Sequence, residues 1–393
     1  MVPASLDRTA NVASHLAQAR VRWVSAAGME DHAWTDLERL LARPDGFVWI
    51  DLAECDEAAA ERLGDRFGFH GLALRDVLDR SHLPKIHAYP DHLFVILHAP
   101  EAAEAGHVHL VELDQFIGPN YLITTHGPLS EGVSIQTALR ETNYVFGKIS
   151  AGRLQAATPF ELSYAIVAAV AHRQGAYLSA LASKVAGLET TVRAGDERDP
   201  ERLLEAMFLL RHELLTLRTM AAQSGEVYQR MSALTRMIPS EAPPLIADLV
   251  NRFERVTHAA DGEKDFMQGV IDFYQARTST RMNIAMERLA LIAAIVLPVT
   301  AIASVYGMNL IVGQRTDVVQ LVVVLGFMAL VTAGLSIVTA ALSSPGRIAA
   351  RSPAQSARPR ATRCRSSAHA RGRESASVSP IVACRGSPGF VSF

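Results

Sequence analysis

The chain has 393 residues, 49% of them hydrophobic and 20% charged, and this composition excludes a disordered or fibrous protein. Its mean hydropathy of +0.14 is high for a soluble protein, although aromatic residues make up only 6% of the chain. The apolar excess is therefore aliphatic, and because it is concentrated near the C-terminus it indicates a membrane protein. The 3 cysteines are widely separated, which excludes a secreted protein stabilised by disulfides.

The net charge of −2 conceals an acidic body and a basic tail. From Ser343 onward the chain has nine arginines, no lysine and one acidic residue, so the tail carries about +8 and residues 1–342 about −10. An acidic body favours cations as partners and disfavours nucleic acid. The first 28 residues contain no apolar core of a signal peptide, so the N-terminal part is expected to stay in the cytoplasm.

Residues 46–157 have the pattern of a cytoplasmic α/β domain that follows an N-terminal extension, residues 1–45. Helical spacing over Glu54–Phe67 and Gly71–Arg80 predicts two helices packed on a small sheet. The expected fold class of this part is α+β. Runs rich in β-branched and aromatic residues predict the strands of the sheet, at Phe47–Leu52, His92–His98, Val108–Phe116 and Tyr121–Thr125.

Residues 158–243 are rich in Ala, Leu and Glu, and they predict two long antiparallel helices of a cytoplasmic stalk. The helices are expected at roughly 159–194 and 200–236. Breaks in the pattern near Gly195–Pro200 and Pro239–Pro244 separate them from each other and from the next helix.

The next predicted helix is unusually long, because residues 244–309 contain no strong break and join the stalk to a first membrane span. At 1.5 Å per residue this helix would be a rod of about 100 Å. A lone rod of that length cannot bury its own faces, so it is expected to pack against copies of itself. The apolar positions that fit such a seam are Phe266, Val270 and Phe273.

Two uncharged apolar segments predict a pair of transmembrane helices, at about 289–309 and 318–342. Each exceeds the roughly 20 residues that a helix needs to cross about 30 Å of hydrocarbon. Residues 310–317 are predicted to form a short external loop in which Arg315 is the one Lys or Arg residue, whereas arginines flank both outer ends. The positive-inside rule therefore places both termini in the cytoplasm. The tail, 343–393, is predicted to be disordered, either holding anionic lipid or arising from a shifted reading frame.

The first predicted span ends in a YGMN motif at residues 306–309, and its position near the end of an acidic chain resembles the signature of CorA-type magnesium transporters. The segment LRDVLDRSHLPKIHAYPDHLFVIL, residues 74–97, and the run Met282–Asn309 are also similar to that family. The resemblance covers about residues 46–342.

This resemblance implies a homopentameric funnel whose first spans line a central pore. It also implies a multi-pass protein of the plasma membrane, which in bacteria is the inner membrane. Its expected partners are the lipid bilayer and other copies of the same chain. The implied function is Mg²⁺ uptake driven by the membrane potential and gated by cytoplasmic Mg²⁺, with Co²⁺ and Ni²⁺ as alternative cargo. Mg²⁺ would then be both transported and regulatory, and no organic cofactor is expected.

The resemblance further implies a selectivity filter formed by Tyr306, Gly307, Met308 and Asn309. Mg²⁺ dehydrates reluctantly, so an entrance should recognise the hydrated ion through its outer water. A ring of Asn309 amides can accept hydrogen bonds from that water, and its neutrality avoids trapping the ion. Gly307 permits a close turn of the backbone and Met308 packs it. The alternative is a Gly-Asn helix cap at the membrane boundary, which needs no ion.

Below the filter, residues at helical spacing match the pore-facing positions of the family. Polar side chains on this face offer hydrogen bonds to water, whereas the apolar pair Leu289 and Met286 makes a constriction that closes by dewetting. Leucine and methionine at this spacing are also explained by helix packing alone. The five predicted pore-lining residues are Thr300, Leu297, Leu289, Met286 and Asn283.

Two carboxylates are candidates for a regulatory Mg²⁺ site, again by resemblance: Asp76 in LRDVL and Asp248 in IADLV. Carboxylates from neighbouring subunits that face each other repel unless a cation lies between them, which is what an ion sensor requires. Arg75 stands where a second acid is common, so this site binds Mg²⁺ more weakly or differently. The alternative is that both residues are simply solvated.

Histidines concentrate in the β region, where transition-metal binding is one interpretation and exposed strand positions are the other. They are His87, His92, His98, His107 and His109.

An enzyme is not expected, because the chain contains no Walker motif, no GxGxxG and no HExxH. Two other functions stay open. A ZntB-like protein would share the signature and move Zn²⁺, and a membrane-tethered coiled-coil scaffold would transport nothing.

Overall fold

The computed structural model of the protein describes residues 19–129, 131–195, 199–234, 238–307 and 318–342. The chain divides into two compact units between Met286 and Glu287. The first unit holds a mixed sheet, the helices that cover it and most of one very long helix. The second unit holds the end of that helix and the last helix of the described chain.

The sheet of the first unit has the strand order β2-β1-β3-β7-β6-β5-β4. Neighbouring strands are antiparallel except for the parallel pair β3 and β7. The four strands predicted from composition are confirmed, and three further strands complete the sheet. The strands are β1 (Arg20–Ser25), β2 (Gly28–His32), β3 (Gly46–Leu52), β4 (Lys85–Ala88), β5 (Leu93–Ala102), β6 (Val108–Ile117) and β7 (Tyr121–Thr125).

The helices include the three long ones expected from the Ala- and Leu-rich pattern, with ends within a few residues of the predicted ones. Short 3₁₀ turns at Trp34–Asp36 and Glu104–Gly106 accompany them. The α-helices are α1 (Leu37–Leu41), α2 (Glu57–Phe67), α3 (Gly71–Leu78), α4 (Ile135–Ala138), α5 (Arg140–Ser150), α6 (Pro159–Ala194), α7 (Pro200–Ser232), α8 (Ala242–Gly307) and α9 (Val318–Leu342).

Residues 20–41 join the sheet and its helical cover, although the sequence analysis placed them in a separate extension. β1 pairs with β3 in a register that sets Trp23 opposite Val48. The apolar run of β1 is interrupted by Arg22, which hides the strand from pattern analysis. Arg22 is nevertheless buried, with its guanidinium 4.8 Å from the Trp49 ring centroid and 4.4 Å from that of Phe146. Stacking on both rings and the ion pair with Asp31 offset part of the cost of burying this charge.

The long helices start and stop at residues that supply the missing hydrogen bonds of helix ends. Thr158 Oγ1 accepts from the Glu161 amide at the start of α6, and Pro159 takes the first helical position. α6 ends at Ala194 and is capped by Gly195, whose φ of 72° suits glycine. Arg277 of α8 donates to the carbonyls of Val192 and Arg193, so it caps the free carbonyl end of α6.

Helices cover both faces of the sheet. The face that carries Val48 and Ile50 packs against α1, α2 and α3. The face that carries Trp49 and Leu97 packs against α5, α6, α7 and the beginning of α8. Because each large apolar side chain removed from water contributes about 1.5–3 kcal/mol, the two layers stabilise the sheet from both sides. A third apolar cluster joins α6, α7 and α8 beyond the sheet.

The third cluster contains one of the three residues that were predicted to contact another copy of the chain. Val270 is buried in it, with 6% of its surface exposed, and therefore packs inside the chain. Phe266 and Phe273 keep 47% and 52% of their surface exposed. Since residues at positions i and i+7 lie on one helix face, the two phenylalanines remain available for a contact with another helix.

One helix among the described residues is long and apolar enough to cross a membrane, the segment Ala242–Val305 of α8. The apolar stretch Val322–Val338 of α9 is shorter than that criterion. Within the second unit, α8 and α9 flank an apolar cavity of about 480 Å³ that Val305 and Phe327 help to line. The second membrane span stays a prediction, and the predicted tail lies outside the described residues.

Candidate pore and metal sites

The predicted filter falls at the limit of the described chain. Tyr306 and Gly307 form the last residues of α8, so the backbone of the motif begins as helix. Met308, Asn309 and the predicted loop, residues 310–317, lie outside the described residues. The filter therefore stays a prediction, whereas the helix that would present it is described.

The five predicted pore-lining residues all lie on α8, and all five are exposed in the single chain. At about 100° per residue their side chains fall within an arc of roughly 120° of the helix. Among the apolar members, Met286 exposes 58% of its surface, and Leu289 and Leu297 each expose 67%. An apolar face this open has no packing partner within the described chain, so it is a candidate surface for other copies of α8.

The polar members of this face differ in how their side chains are engaged. Thr300 Oγ1 donates to the carbonyl of Val296 at 2.9 Å, which satisfies the hydroxyl proton within the helix. Its lone pairs stay free to accept from water. From Leu289 to Val305 the helix contains no charged residue, and the last charges before it are Glu287 and Arg288. Thr300 therefore offers one hydrogen-bonding position to water within an uncharged segment.

Asp76 lies on α3 and is paired with a cation of its own chain. Its Oδ1 is 2.8 Å from Lys85 Nζ, and its side chain is 31% exposed. The carboxylate is therefore neutralised without a metal ion in the single chain. A metal ion could bind there only in competition with Lys85 or by using the second oxygen.

Asp248 lies near the beginning of α8 and is held by two side chains. Arg252 donates to its Oδ2 one helical turn away, and the Tyr164 hydroxyl donates to the same oxygen at 2.9 Å. The Arg252 hydrogen bond lowers the pKa of Asp248, so the group is a carboxylate at neutral pH. Burial, and then the hydrogen bond to Asp248, raise the pKa of Tyr164. Asp76 and Asp248 thus have separate partners in the chain.

The histidines of the β region do not form a cluster. The expectation that they are exposed fails for His92 and His98, which are 2% and 1% exposed, because helices cover this face of the sheet. His92 Nδ1 lies 2.7 Å from Asp91, and its ring stacks on Tyr89. Within the described residues, no group of three or more histidine, cysteine, aspartate or glutamate side chains is placed to hold a metal ion.

Two buried polar groups were not identified from the sequence. In the first group, Arg173 of α6 forms ion pairs with Glu141 and Glu101. In the second group, Glu112 and Asp114 of β6 are buried, and the loop after α3 contacts Glu112 through the Ser81 amide. In β6 the polar residues alternate with apolar ones, a pattern that usually marks a solvated face. Because helices cover both faces of this sheet, the alternation instead places two acids in the interior.

Two curated relatives resemble most of the chain. The proposed metal ion transporter YfjQ of Bacillus subtilis (strain 168) is 25% identical over 280 residues, which cover 70% of this chain and 82% of the relative. The cobalt/magnesium transport protein CorA of Thermotoga maritima is 24% identical over 286 residues, which cover 70% of this chain and 77% of that protein.

The fold has a counterpart among solved structures. The complete CorA magnesium transporter from Methanocaldococcus jannaschii superposes with a TM-score of 0.67 at 17% identity, covering 81% of this chain and 96% of that one. This likeness concerns the fold. The family model described as CorA-like Mg²⁺ transporter protein matches residues 44–339, which is more than half of the chain. The chain therefore belongs to the family of CorA-like Mg²⁺ transporters.

Proposed function

We propose that copies of this chain form a pore that carries Mg²⁺ into the cytoplasm across the bacterial inner membrane, with Co²⁺ and Ni²⁺ as alternative cargo. The observation that carries the proposal is the file of exposed residues on α8, meaning the five predicted pore-lining residues that lie along one face of the helix. This file combines water-binding Thr300 and Asn283 with the apolar pair Leu289 and Met286 in a helix that is long enough to span a bilayer. Family membership supports divalent cation transport as the function of such a file.

The pore requires several copies of the chain, because one helix cannot enclose a channel. Phe266 and Phe273 stay exposed on the stalk part of α8 and offer an apolar contact to a neighbouring copy. The proposed assembly has five copies, following the resemblance to the family. In such an assembly the contact would bury side chains that the single chain leaves in water.

Selection would occur where the ion first meets the protein. Mg²⁺ usually keeps several of its waters in a protein site, so the proposed Asn309 ring binds the hydrated ion through those waters. Each outer contact is a hydrogen bond to a charged complex, worth about 1.5–3 kcal/mol. Amides carry no net charge, so the ion is held without being trapped.

Transport in this scheme needs no nucleotide. Both termini are proposed to be cytoplasmic, with α8 and α9 spanning the membrane. A divalent cation that moves inward through an inside-negative potential of 100 mV gains roughly 4.6 kcal/mol, twice the value for one charge.

Replacing Asn309 with alanine is expected to lower Mg²⁺ flux about tenfold, because the ring loses its hydrogen bonds to the hydrated ion. The measurement is indicator fluorescence in proteoliposomes that hold the full chain, with Mg²⁺, Co²⁺, Ni²⁺ and Zn²⁺ tested in turn under an imposed potential. Asn251→Ala, which removes an exposed asparagine from the stalk part of α8, is the matched control.

The outcomes separate the candidate functions. Flux of Mg²⁺ that falls in Asn309→Ala and persists in Asn251→Ala supports the proposal. Flux of Zn²⁺ alone would instead identify a ZntB-like transporter. No flux of any ion from the wild-type chain would leave the membrane-tethered scaffold as the function.

We further propose that Asp76 and Asp248 sense cytoplasmic Mg²⁺ at contacts between copies. Asp248 is suited to this role because it is ionised and 38% exposed, so its second oxygen can reach a cation. The ion pair with Arg252 competes with Mg²⁺ for the same carboxylate. Exposed pairs of this kind contribute only about 0.2–1 kcal/mol, so Mg²⁺ at millimolar concentration can displace it.

Mg²⁺ is expected to protect the full chain from limited proteolysis, and Asp248→Ala is expected to abolish that protection. Arg252→Ala removes the competing cation and should lower the half-protective Mg²⁺ concentration, by no more than about fivefold. The control is Asp65→Ala, which removes an exposed acid from α2. Protection that persists in Asp248→Ala would remove this residue from the sensor.

A further inference from the structure

Two acidic side chains lie side by side in the interior of the first unit. Glu112 and Asp114 are two residues apart on β6, so their side chains point to the same face of the sheet. They expose 4% and 0% of their surface. The neighbouring positions on this face, Ile96 and Phe116, are fully buried apolar residues. Two ionised carboxylates in such surroundings would repel each other and lack hydration.

Several oxygens of the two carboxyl groups lack a hydrogen bond within the described chain. Glu112 Oε2 accepts from the Ser81 amide at 2.8 Å, which stabilises this oxygen. Glu112 Oε1 and both oxygens of Asp114 are buried without a hydrogen-bond partner among the described residues. An ionised carboxylate only accepts hydrogen bonds, so two carboxylates cannot satisfy each other. One carboxylic proton supplies the missing donor and gives an oxygen on each residue a partner.

A second unpartnered group lies next to Asp114. Thr125 of β7 stands directly opposite Asp114 in the antiparallel register, which puts both side chains on the same face. Its hydroxyl is fully buried and has no hydrogen-bond partner in the part of the chain that the structure describes. A threonine hydroxyl can donate to a carboxyl oxygen as well as accept from it, so the site has room for a hydrogen-bonded acid.

Among the described residues, Lys85, His98 and Arg80 lie around the pair, and each of them contacts a group outside it. Lys85 of β4 faces Asp114, but its ammonium is 2.8 Å from Asp76 of α3. His98 of β5 uses Nε2 to donate to the Ser81 carbonyl at 2.6 Å and lies 3.6 Å from Glu112. Arg80, on the loop after α3, donates to the carbonyl of Leu110.

Two further titratable groups approach the pair from the ends of neighbouring segments. Burial raises the pKa of the Cys55 thiol, before α2, to about 12, so this group is neutral. Burial lowers the pKa of His126, which follows β7, so the imidazole is neutral as well. Burial, and then the neighbouring Glu112, raise the pKa of Asp114.

We propose that Glu112 and Asp114 form a buried proton-binding site, in which a single proton carried by Asp114 joins the two carboxyl groups and keeps residues 79–88 closed over the sheet. This segment is the loop after α3 followed by β4. It is fastened by the Ser81 amide on Glu112, by His98 on the Ser81 carbonyl and by Arg80 on β6. β4 is an edge strand with β5 as its one neighbour in the sheet.

Loss of the proton opens this segment, because a second buried charge must reach water or a cation. A raised pKa in the folded state means that the site stabilises the closed segment at low pH. The stabilisation is lost as pH rises from the ordinary aspartate value, 3.8, through the raised pKa of Asp114. Between these two values the opening equilibrium should grow roughly tenfold per pH unit, as expected for one proton, and above the raised pKa it should level off. Under the proposed topology, the cytoplasmic pH would set this equilibrium.

Infrared spectroscopy of the full chain in lipid tests whether the proton is present. The wild type is expected to show the carbonyl stretch of a protonated carboxylic acid at neutral pH. Asp114→Asn should remove that band, Glu112→Gln should shift it, and the exposed control Asp65→Asn should leave it unchanged. A wild type without the band, or a band that survives in Asp114→Asn, would overturn the proposal.

Hydrogen exchange of the same samples tests the consequence of the proton. After correction for the intrinsic pH dependence of exchange, protection of residues 79–88 should fall with rising pH in the wild type. It should stay constant in Asp114→Asn, whose neutral amide imitates the protonated acid in size and charge. An equal fall in both proteins would contradict the proposal. Neither measurement depends on ion transport, so a failure here would leave the proposed function standing.

Discussion

Arg173→Leu is expected to lower the free energy of unfolding of the first unit by about 3–5 kcal/mol, the usual cost of breaking a buried ion pair. Arg173 Nε donates to the Pro100 carbonyl at 2.9 Å, Nη1 to Glu141 at 3.1 Å and Nη2 to Glu101 at 2.6 Å. The side chains of Arg173 and Glu141 are 7% and 6% exposed. Leucine has no donors, so Glu141 would stay buried as an uncompensated charge.

The loss should depend on pH with a definite sign. Burial raises the pKa of Glu141 even with Arg173 beside it. Removal of the cation raises that pKa further, so Glu141 in the variant can take up a proton in the folded state. The destabilisation relative to wild type should therefore shrink as pH falls toward the raised pKa of Glu141. Urea unfolding followed by tryptophan fluorescence measures it, because Trp23, Trp34 and Trp49 all lie in the first unit.

Two variants separate the buried charge from lost packing. In the double variant Arg173→Leu with Glu141→Leu, both charges are gone, and much of the lost stability should return. Arg140→Ala removes a neighbour of Glu101 that is 50% exposed, and should cost no more than about 1 kcal/mol. If the double variant were no more stable than Arg173→Leu, the uncompensated carboxylate would not be the cause of the loss.

The elements of the fold were predictable where one physical signal dominates. The strands β3, β5, β6 and β7 follow from runs of β-branched and aromatic residues, and α6 follows from its Ala- and Leu-rich pattern and the break near Gly195–Pro200. β1 was missed because the buried Arg22 interrupts its apolar run. Its stacking on Trp49 and Phe146 involves residues distant in sequence, which no local pattern contains.

The shared helix face of the five predicted pore-lining residues was predictable because it depends on a single helix. Helical spacing alone sets Thr300 and Leu289 on one face, whatever the rest of the chain does. The partners of Asp76 and Asp248 could not be predicted, since Lys85 and Tyr164 reach them through tertiary contacts. The proposed proton site on β6 could not be predicted for the same reason. Its alternation of polar and apolar residues usually marks a solvated face, but here helices cover both faces of the sheet, so the polar residues are buried.

The double variant Met286→Asn with Leu289→Asn is expected to raise Mg²⁺ flux about a hundredfold under conditions that close the pore. In the proposed assembly each position contributes an apolar ring, and a narrow apolar ring closes by expelling water. Asparagine in each ring offers hydrogen bonds worth about 1–1.5 kcal/mol to the water column. Together the two rings lower the barrier by roughly 2–3 kcal/mol, which corresponds to about a hundredfold in rate. Proteoliposomes that contain millimolar Mg²⁺ on the cytoplasmic side of the protein provide the measurement.

Ile284→Asn is the matched control for this pair. Ile284 is 44% exposed on the same helix, and it points roughly 140–160° away from the side chains of Met286 and Leu289. The same change from an apolar side chain to an amide should therefore leave the closed-state flux near that of the wild type. Equal leakage in Ile284→Asn would indicate a general loosening of α8. An unchanged flux in the double variant, with the protein correctly inserted, would show that these two positions do not form the constriction.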